Sequence, residues 1–381
     1  MRWRFTIVLA GASLCAAPPL SPGRRYTTIE RLETAHLAAV HQARLNFAAA
    51  RKQLDPAVPF TDYRAVMHVH AQDAPHTKGT RFEALAGAKA AHVSIVMWTD
   101  HHGPKPDTWT GLIDGILFIP GSEDDHLLRF PKPGAELRFL SHLEETPNAS
   151  GAGFQGMEIY NRHTDAKDEE EFDKYFQAAM KDPAEWSKLA ESDAKYPDEV
   201  FGAQQDYWPS ILAIWDRELR THLFTGIAAN DSHKNQTYNG VTFDPYDVSF
   251  RDVSTHILSG ELTDPAIRES LRAGRVYVAH DWLCDPAGFN FIARQGSDMF
   301  TMGDRAPLGA RLEAHLPIAA EVKLIHNGEV VFESTGDSIA FTPKDPGAYR
   351  LEAWLTVDNE KRPWIYANPI WIEPQSKGDG Q

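Results

Sequence analysis

Cysteine is almost absent: the 381 residues contain two, Cys15 and Cys284. The first lies in an apolar N-terminal segment, so no intramolecular disulfide is expected in the mature chain and the fold must stand on its core. No apolar run approaches the roughly 20 residues that a membrane-spanning helix needs. No basic stripe is present either. Lys and Arg number 38 against 53 Asp and Glu, a formal net charge of −15. Such a field repels polyanions, and nucleic acid is not an expected partner. Internal repeats and low-complexity tracts are also missing. What remains is ordinary soluble globular composition, 42% hydrophobic and 24% charged, long enough for one large domain plus a smaller one or for two medium ones.

Arg2 and Arg4 precede an apolar run from Phe5 to Leu14, followed by Cys15, Ala16 and Ala17. That order reads as a bacterial-type secretory signal over residues 1–22, cleaved near Ala17, and predicts a periplasmic or secreted protein with no transmembrane segment once mature. A lipid anchor through Cys15 is the weaker alternative, because Leu14 sits where a small residue is normally required. Residues 23–58 hold a helical pattern from Thr27 to Leu54, read as one amphipathic helix in which His36 and His41 are packing or surface residues.

From residue 59 to 284 the texture changes to short apolar runs that end in polar residues: Tyr63 to Val69, His92 to Trp98, Gly115 to Pro120, Leu137 to Leu140, Gly156 to Tyr160 and His222 to Ala229. They read as buried parallel strands. Helical stretches at Arg81–Ala91, Glu169–Ser192 and Gln204–Leu219 complete the alternation of an α/β barrel or sheet. The acidic run Asp168 to Glu171 suits a solvated helix start, and Trp98, Trp186, Trp208 and Trp215 read as packing. Beyond Asp285 helices give way to strands, with His326-Asn327-Gly328 as a hairpin signal, so residues 285–374 suggest a small all-β sandwich before a polar tail, 375–381.

The chemistry concentrates at strand ends. His68-Val69-His70 closes the first run, and strand alternation puts both imidazoles on one face. With 17 histidines in the chain, about one such pair arises by chance, so context must add the rest. His76 follows in a short loop. Later runs end in Thr99-Asp100-His101-His102-Gly103, Gly121-Ser122-Glu123-Asp124-Asp125-His126, Ser141-His142, Glu158-Ile159-Tyr160-Asn161 and Asn230-Asp231-Ser232-His233. In a parallel α/β fold these ends converge at one mouth, and imidazole with carboxylate is the donor set of Zn, Mn or Fe. Asp100 either orients an imidazole or caps the turn, His102 reads as a rim residue, and Glu158 is a base, a saccharide contact or an ordinary strand-end carboxylate.

HVH with a histidine six residues on, TDHHGP, GSE, SH and NDSH, in that order over roughly residues 60–280, resemble the polymerase-and-histidinol-phosphatase (PHP) family. The resemblance implies a distorted seven-stranded (β/α) barrel holding two or three divalent ions. Carried over by motif, His68, His70, His76, His101, Glu123, His142, Asp231 and His233 match ligand positions. His126 is the candidate for a further family histidine, and Leu143-Glu144-Glu145 stands where the family commonly has proline. The implied reaction is hydrolysis of a small phosphomonoester or phosphodiester by a metal-bound hydroxide, with Asp100, His101, Glu123 and Asp231 as the catalytic set. His68, His70, Glu123 and Asp231 would hold one part of the cluster, with Glu123 bridging. His76, His101 and His233 would hold another, and His142 would complete the shared ion. A cation cluster also inverts the local field, which reconciles an acidic chain with a phosphorylated substrate. Lys78, Arg162, His163 and Lys234 lie near ligands in sequence and are candidate substrate contacts. Two rivals stand beside this reading. An amidohydrolase also opens with HxH but lacks the early TDHH and late DxH. A non-catalytic exported binding protein would use the metal structurally and contact a glycan or a protein through the C-terminal sandwich.

Overall fold

A computed structural model describes residues 25–131, 136–167 and 169–374. The signal segment, the polar tail from 375 and Asp168 of the acidic run lie outside the described residues. No described helix is long and apolar enough to cross a membrane.

The N-terminal helical region is two helices, α1 (Thr28–Arg31) and α2 (Thr34–Ala50), where the periodicity predicts one. Thr27 and Glu30 form a reciprocal capping box at α1. The break at Leu32 and Glu33 follows from what Arg31 must reach. Its guanidinium is buried, 2.7 Å from Glu360 Oε1 and bonded to the carbonyls of Ala203 and Gln205. His36 and His41 pair with Asp358 and Glu199, each at 2.8 Å, as packing residues.

The next strands build the site. β1 (Thr61–Val69), α3 (Arg81–Ala90), β2 (Ile95–Trp98), β3 (Asp100–His101), β4 (Gly111–Ile113), β5 (Ile116–Ile119) and β6 (Ser122–Asp124) follow in order. Then come β7 (Leu127–Phe130), β8 (Leu137–Leu140) and β9 (Gly156–Asn161). Strands β1, β2 and β5 are parallel neighbours, as are β3 with β6 and β8 with β9. β7 corrects the all-parallel reading: it runs antiparallel to both β6 and β8. A tight turn at Asp125, which has a φ of 53°, reverses the chain there. Among the described residues no helix separates β3 from β9, so the strand-helix alternation lapses in this stretch.

Five helices then precede β10 (Thr225–Ala229): α4 (Arg162–Lys167), α5 (Glu170–Ala179), α6 (Pro183–Lys195), α7 (Pro197–Gly202) and α8 (Pro209–Leu219). The single stretch read from Glu169 to Ser192 divides because Asp182 caps Ala184 and Pro183 starts a new helix. β10 lies parallel to β9, and beyond its end the chain returns to β1. Asn230 N donates to Met67 O, His70 N donates to Ser232 O, and Val69 and Ser232 form an isolated bridge. No continuous ladder closes the ring among the described strands, which form sheets of 13, 6 and 2 strands. Alternate residues Ala65 and Met67, Ile95 and Met97, and Leu117 and Ile119 share one buried cluster with Phe130, Phe139 and Ile227. Trp98 and Trp215 are fully buried, and the Trp208 indole donates to Asp165.

After β11 (Thr237–Tyr238), β12 (Val241–Thr242) and α9 (Tyr246–Asp252), β13 (Ser254–Ser259) pairs antiparallel with β1. Helix α10 (Asp264–Ala273) leads to β14 (Val276–Ala279), which pairs with β13. The C-terminal region is all-β as expected: β15 (Asn290–Gln295), β16 (Asp298–Thr301), β17 (Arg305–Pro307), β18 (Arg311–His326), β19 (Glu329–Phe341), β20 (Gly347–Val357) and β21 (Glu360–Glu373). Asn327 and Gly328, with φ of 54° and 84°, make the turn between β18 and β19. The region is also hydrogen-bonded to the strands before it. β21 pairs with β14, Tyr277 opposite Ala367, so the strands continue the sheet that contains β1.

His256 on β13 ties this sheet together. Its Nδ1 lies 2.9 Å from the half-buried Asp62 Oδ1 and its Nε2 3.0 Å from the buried Asp281 Oδ1. Burial opposes the charged ring, but the two carboxylates outweigh it and raise its pKa to about 10. The native state therefore holds a proton that the unfolded state has lost between about pH 6.5 and 10, so this contribution is full below that window and falls as pH rises. Melting temperature should drop from pH 7.5 to 10.5, and drop less in His256→Gln. Equal slopes would refute the assignment.

Candidate metal centre

The expected alternation at His68-Val69-His70 is not what aligns the two rings. The register between β1 and β2 slips at His68, which adopts a left-handed φ of 59°. This bulge turns its ring into the same space as His70, with the centroids 5.2 Å apart. His142 and Asp231 are also left-handed, with φ of 48° and 49°. Each such conformation costs a non-glycine residue on the order of 1–3 kcal/mol, and here all three point functional groups at one centre.

Glu123, from β6, stands at that centre. Its Oε1 is 2.9 Å from His142 Nε2 and 3.3 Å from His68 Nε2. Its Oε2 is 3.4 Å from His70 Nε2 and 3.5 Å from His101 Nε2. Asp231 Oδ1 lies 3.4 Å from His68 Nε2, 3.5 Å from His70 Nε2 and 3.3 Å from His233 Nδ1, while Oδ2 faces His142 at 3.9 Å. Donor atoms gather as His68, His142 and Asp231, as His70, His101 and His233, as His68, His70 and Glu123, and as His163, Asp231 and His233. The Glu123 carboxylate thus lies between overlapping imidazole groups: His68 and His70 meet at it as the sequence suggested, while His142 also sits with His68, and His70 with His101 and His233.

Outer partners present these rings. His68 Nδ1 donates to Glu158 at 2.7 Å, and Glu158 also accepts from the His142 backbone N and from Asn161. Asp73 Oδ2 accepts from His101 Nδ1 at 2.6 Å and from His70 Nδ1 at 3.0 Å. Thr164 Oγ1 and Glu144 Oε1 flank His142 Nδ1 at 3.1 and 3.3 Å. With Nδ1 engaged, each of these rings offers Nε2 to the centre.

The electrostatics match a cation site. Burial alone would raise the Glu123 and Asp231 carboxyls, yet His68 and the other imidazoles hold both well below the usual range. Burial would likewise depress His142, but hydrogen bonds to Glu123 and Glu144 lift it to about 10. His233 is pushed down to about 3, its burial outweighing the pull of Asp231. A divalent ion would replace the imidazole protons that now balance the carboxylates. The fit rests on two orphaned atoms. His68 Nε2 and Asp231 Oδ1 are buried and have no hydrogen-bond partner among the described residues. The donor set suits a divalent metal.

Several expected residues fall elsewhere. Asp100 is fully buried but accepts from Arg81, Lys105 N and Thr108, facing away from His101. Arg162 is buried on Phe201 and Gln204 with Asp252 at 3.8 Å, so its charge is spent inside the protein. Lys234 pairs with Glu83, and exposed Lys78 bonds the Pro75 carbonyl. The β6–β7 turn carries His126 past the cluster, its ring 6.4 Å from His142 and its Nδ1 4.0 Å from Glu145. His76, by contrast, adjoins the cluster from its exposed side, its ring 4.6 Å from that of His101 and 5.1 Å from that of His233. His102 is exposed, in keeping with a rim position. Of the expected substrate contacts His163 alone adjoins the cluster, its Nδ1 3.3 Å from Asp231 O.

Asp73 is the residue that motif reading missed. Its signal was its place three residues after His70, in the loop leading to His76. Asp73→Ala should weaken divalent-metal affinity about 10- to 100-fold, read by competition with a chromogenic chelator. Unaltered affinity would show that Asp73 does not set the ring positions.

No family model matches this chain, and no curated protein matches it. Among solved structures it is similar to a two-domain protein from Bacteroides vulgatus ATCC 8482, described as containing a predicted PHP-like metal-dependent phosphoesterase. The identity is 12%, over 84% of this chain and 98% of that one, with a TM-score of 0.36. A likeness that distant assigns no residue its role.

Proposed function

We propose that the chain is an exported metal-dependent phosphoesterase of PHP type, whose site strands form a distorted, incompletely closed barrel with the isolated bridge between Val69 and Ser232 where its ends meet. The observation that carries the reading is the pair of buried atoms without a hydrogen bond, His68 Nε2 and Asp231 Oδ1, 3.4 Å apart among five further imidazoles and Glu123. The N-terminal basic and apolar segment supports export.

His68, His142 and Asp231 would hold one ion and His70, His101 and His233 another, with Glu123 between them. Bound there, two or three divalent ions, Zn, Mn or Fe, supply Lewis acidity toward phosphoryl oxygens and acidify water. Hydrolysis then joins a water oxygen to phosphorus while the P–O ester bond breaks, its electron pair staying on the leaving oxygen, which takes up a proton. The chain's part is to fix the donors through Asp73 and Glu158 and to leave the phosphoryl charge to the centre, since Arg162 and Lys234 are engaged elsewhere. Protein stripped of metal and reloaded separately with Mn, Zn or Fe should release inorganic phosphate from members of a phosphoester panel. Silence across the panel with every metal would sink the reading.

A further inference from the structure

A cavity of about 310 Å³ adjoins the centre, and His163 is the wall the two share. On one side the His163 ring lies 5.4 Å from that of His233. On the other it faces Phe172 and Phe176 of α5, Tyr238 of β11, Phe243 and Leu32. Phe176 meets Tyr238 and Phe243 at steep angles, 76° and 78°, with centroids 5.1 and 5.7 Å apart. An open hollow of this size, walled largely by aromatic rings with Gln204, Asn235 and Gln236 among them, reads as a binding pocket. Its far wall depends on the break between α1 and α2, which brings Leu32 inward.

The chemistry of the walls narrows the occupant. No lysine or arginine lines the cavity, and Asp173 does. A phosphate is therefore repelled from it and belongs at the metal centre, while the cavity takes an uncharged group. Aromatic faces and edges suit a planar ring, and the volume is near the lower end of the roughly 300–1,000 Å³ typical of ligand pockets, room for one ring system and not a long chain. We propose that this cavity is a leaving-group subsite that receives the aromatic group of a phosphoester, an inference that rests on the phosphoesterase reading above.

The test is calorimetric titration of the Mn-loaded protein with phenylphosphonate and with methylphosphonate, which share the phosphoryl mimic and differ in the ring. Phenylphosphonate should bind at least about 10-fold tighter, as burial of a ring implies. Tyr238→Ala and Phe176→Ala should each bring that ratio toward one. Tyr238 is 37% exposed, so its loss leaves the core intact should Phe176→Ala fail to fold. Equal affinities in the unaltered protein, failure to bind either phosphonate, or a ratio indifferent to Tyr238→Ala would overturn the subsite. Phosphate release from phenyl phosphate is followed in parallel. A preserved binding preference with no turnover across the phosphoester panel would instead overturn the phosphoesterase reading, and with it the leaving-group role, leaving the cavity as an aryl-binding site.

Discussion

Replacing Glu123 with glutamine should lower bound divalent metal by at least one ion per chain and cut phosphoester turnover by about 100-fold or more. The carboxylate offers one oxygen to His68 and His142 and the other to His70 and His101, so it is placed to serve two ions together. Glutamine keeps the shape but loses the charge, and its amide nitrogen presents hydrogens where an oxygen lone pair was. Loss of an outer partner alone typically costs 10–100-fold in affinity or activity, which sets a floor for a residue that would contact the ions directly. The variant should still fold, because side-chain exposure of 12% lets a neutral amide keep some hydration. Metal counted by mass spectrometry on desalted protein, beside the rate, checks both halves. Unchanged metal content with turnover within about twofold of the unaltered protein would remove Glu123 from the centre.

Asp216→Ala should cost about 3–5 kcal/mol of stability with the metal centre untouched. Asp216 on α8 grips Arg350 of β20 through two parallel bonds, 2.6 Å to Nε and 2.9 Å to Nη2. Glu352 takes Nη1 at 2.7 Å, and all three groups are buried. Removing Asp216 strands part of a desolvated guanidinium, which is the expensive way to break such a network. Replacing Asp216, Arg350 and Glu352 together with leucine, methionine and leucine should recover most of the loss, since well-packed apolar groups can substitute for a whole buried ionic network. Denaturant unfolding of the two variants beside the unaltered protein reads the effect. A cost below about 1 kcal/mol for Asp216→Ala would mean that water reaches the pair.

The strand-end histidines were legible because each ends an apolar run and their order along the chain is distinctive. The residues that hold them were less so. Asp73 sits in an irregular loop with no periodicity, and its partners His70 and His101 are distant from each other in sequence. Asp100, adjacent to His101, looked like the orienting group, yet neighbouring strand residues face opposite ways and it turns to Arg81. Arg162 was misread for a related reason: proximity to Asn161 in sequence says nothing of the direction of its side chain, which folds back onto Phe201. Antiparallel β7 escaped notice because Leu127–Phe130 is too short to announce its direction. The all-β character of the C-terminal region was plain from its turns, whereas its pairing with β14 is a tertiary choice that local pattern does not encode.

That pairing also bears on how far the chain can be divided. β14 has β13 on one side and β21 on the other, and Ala348, Tyr366 and Trp371 share a buried cluster with Ile211, Trp215 and Val278. A fragment ending before β15 would carry a raw sheet margin of unsatisfied amides and carbonyls, flanked by bared aromatic surface, which is the template on which strands of other molecules add. The C-terminal strands thus act as a selvedge for the sheet that carries His68 and His70, keeping its growth within one molecule.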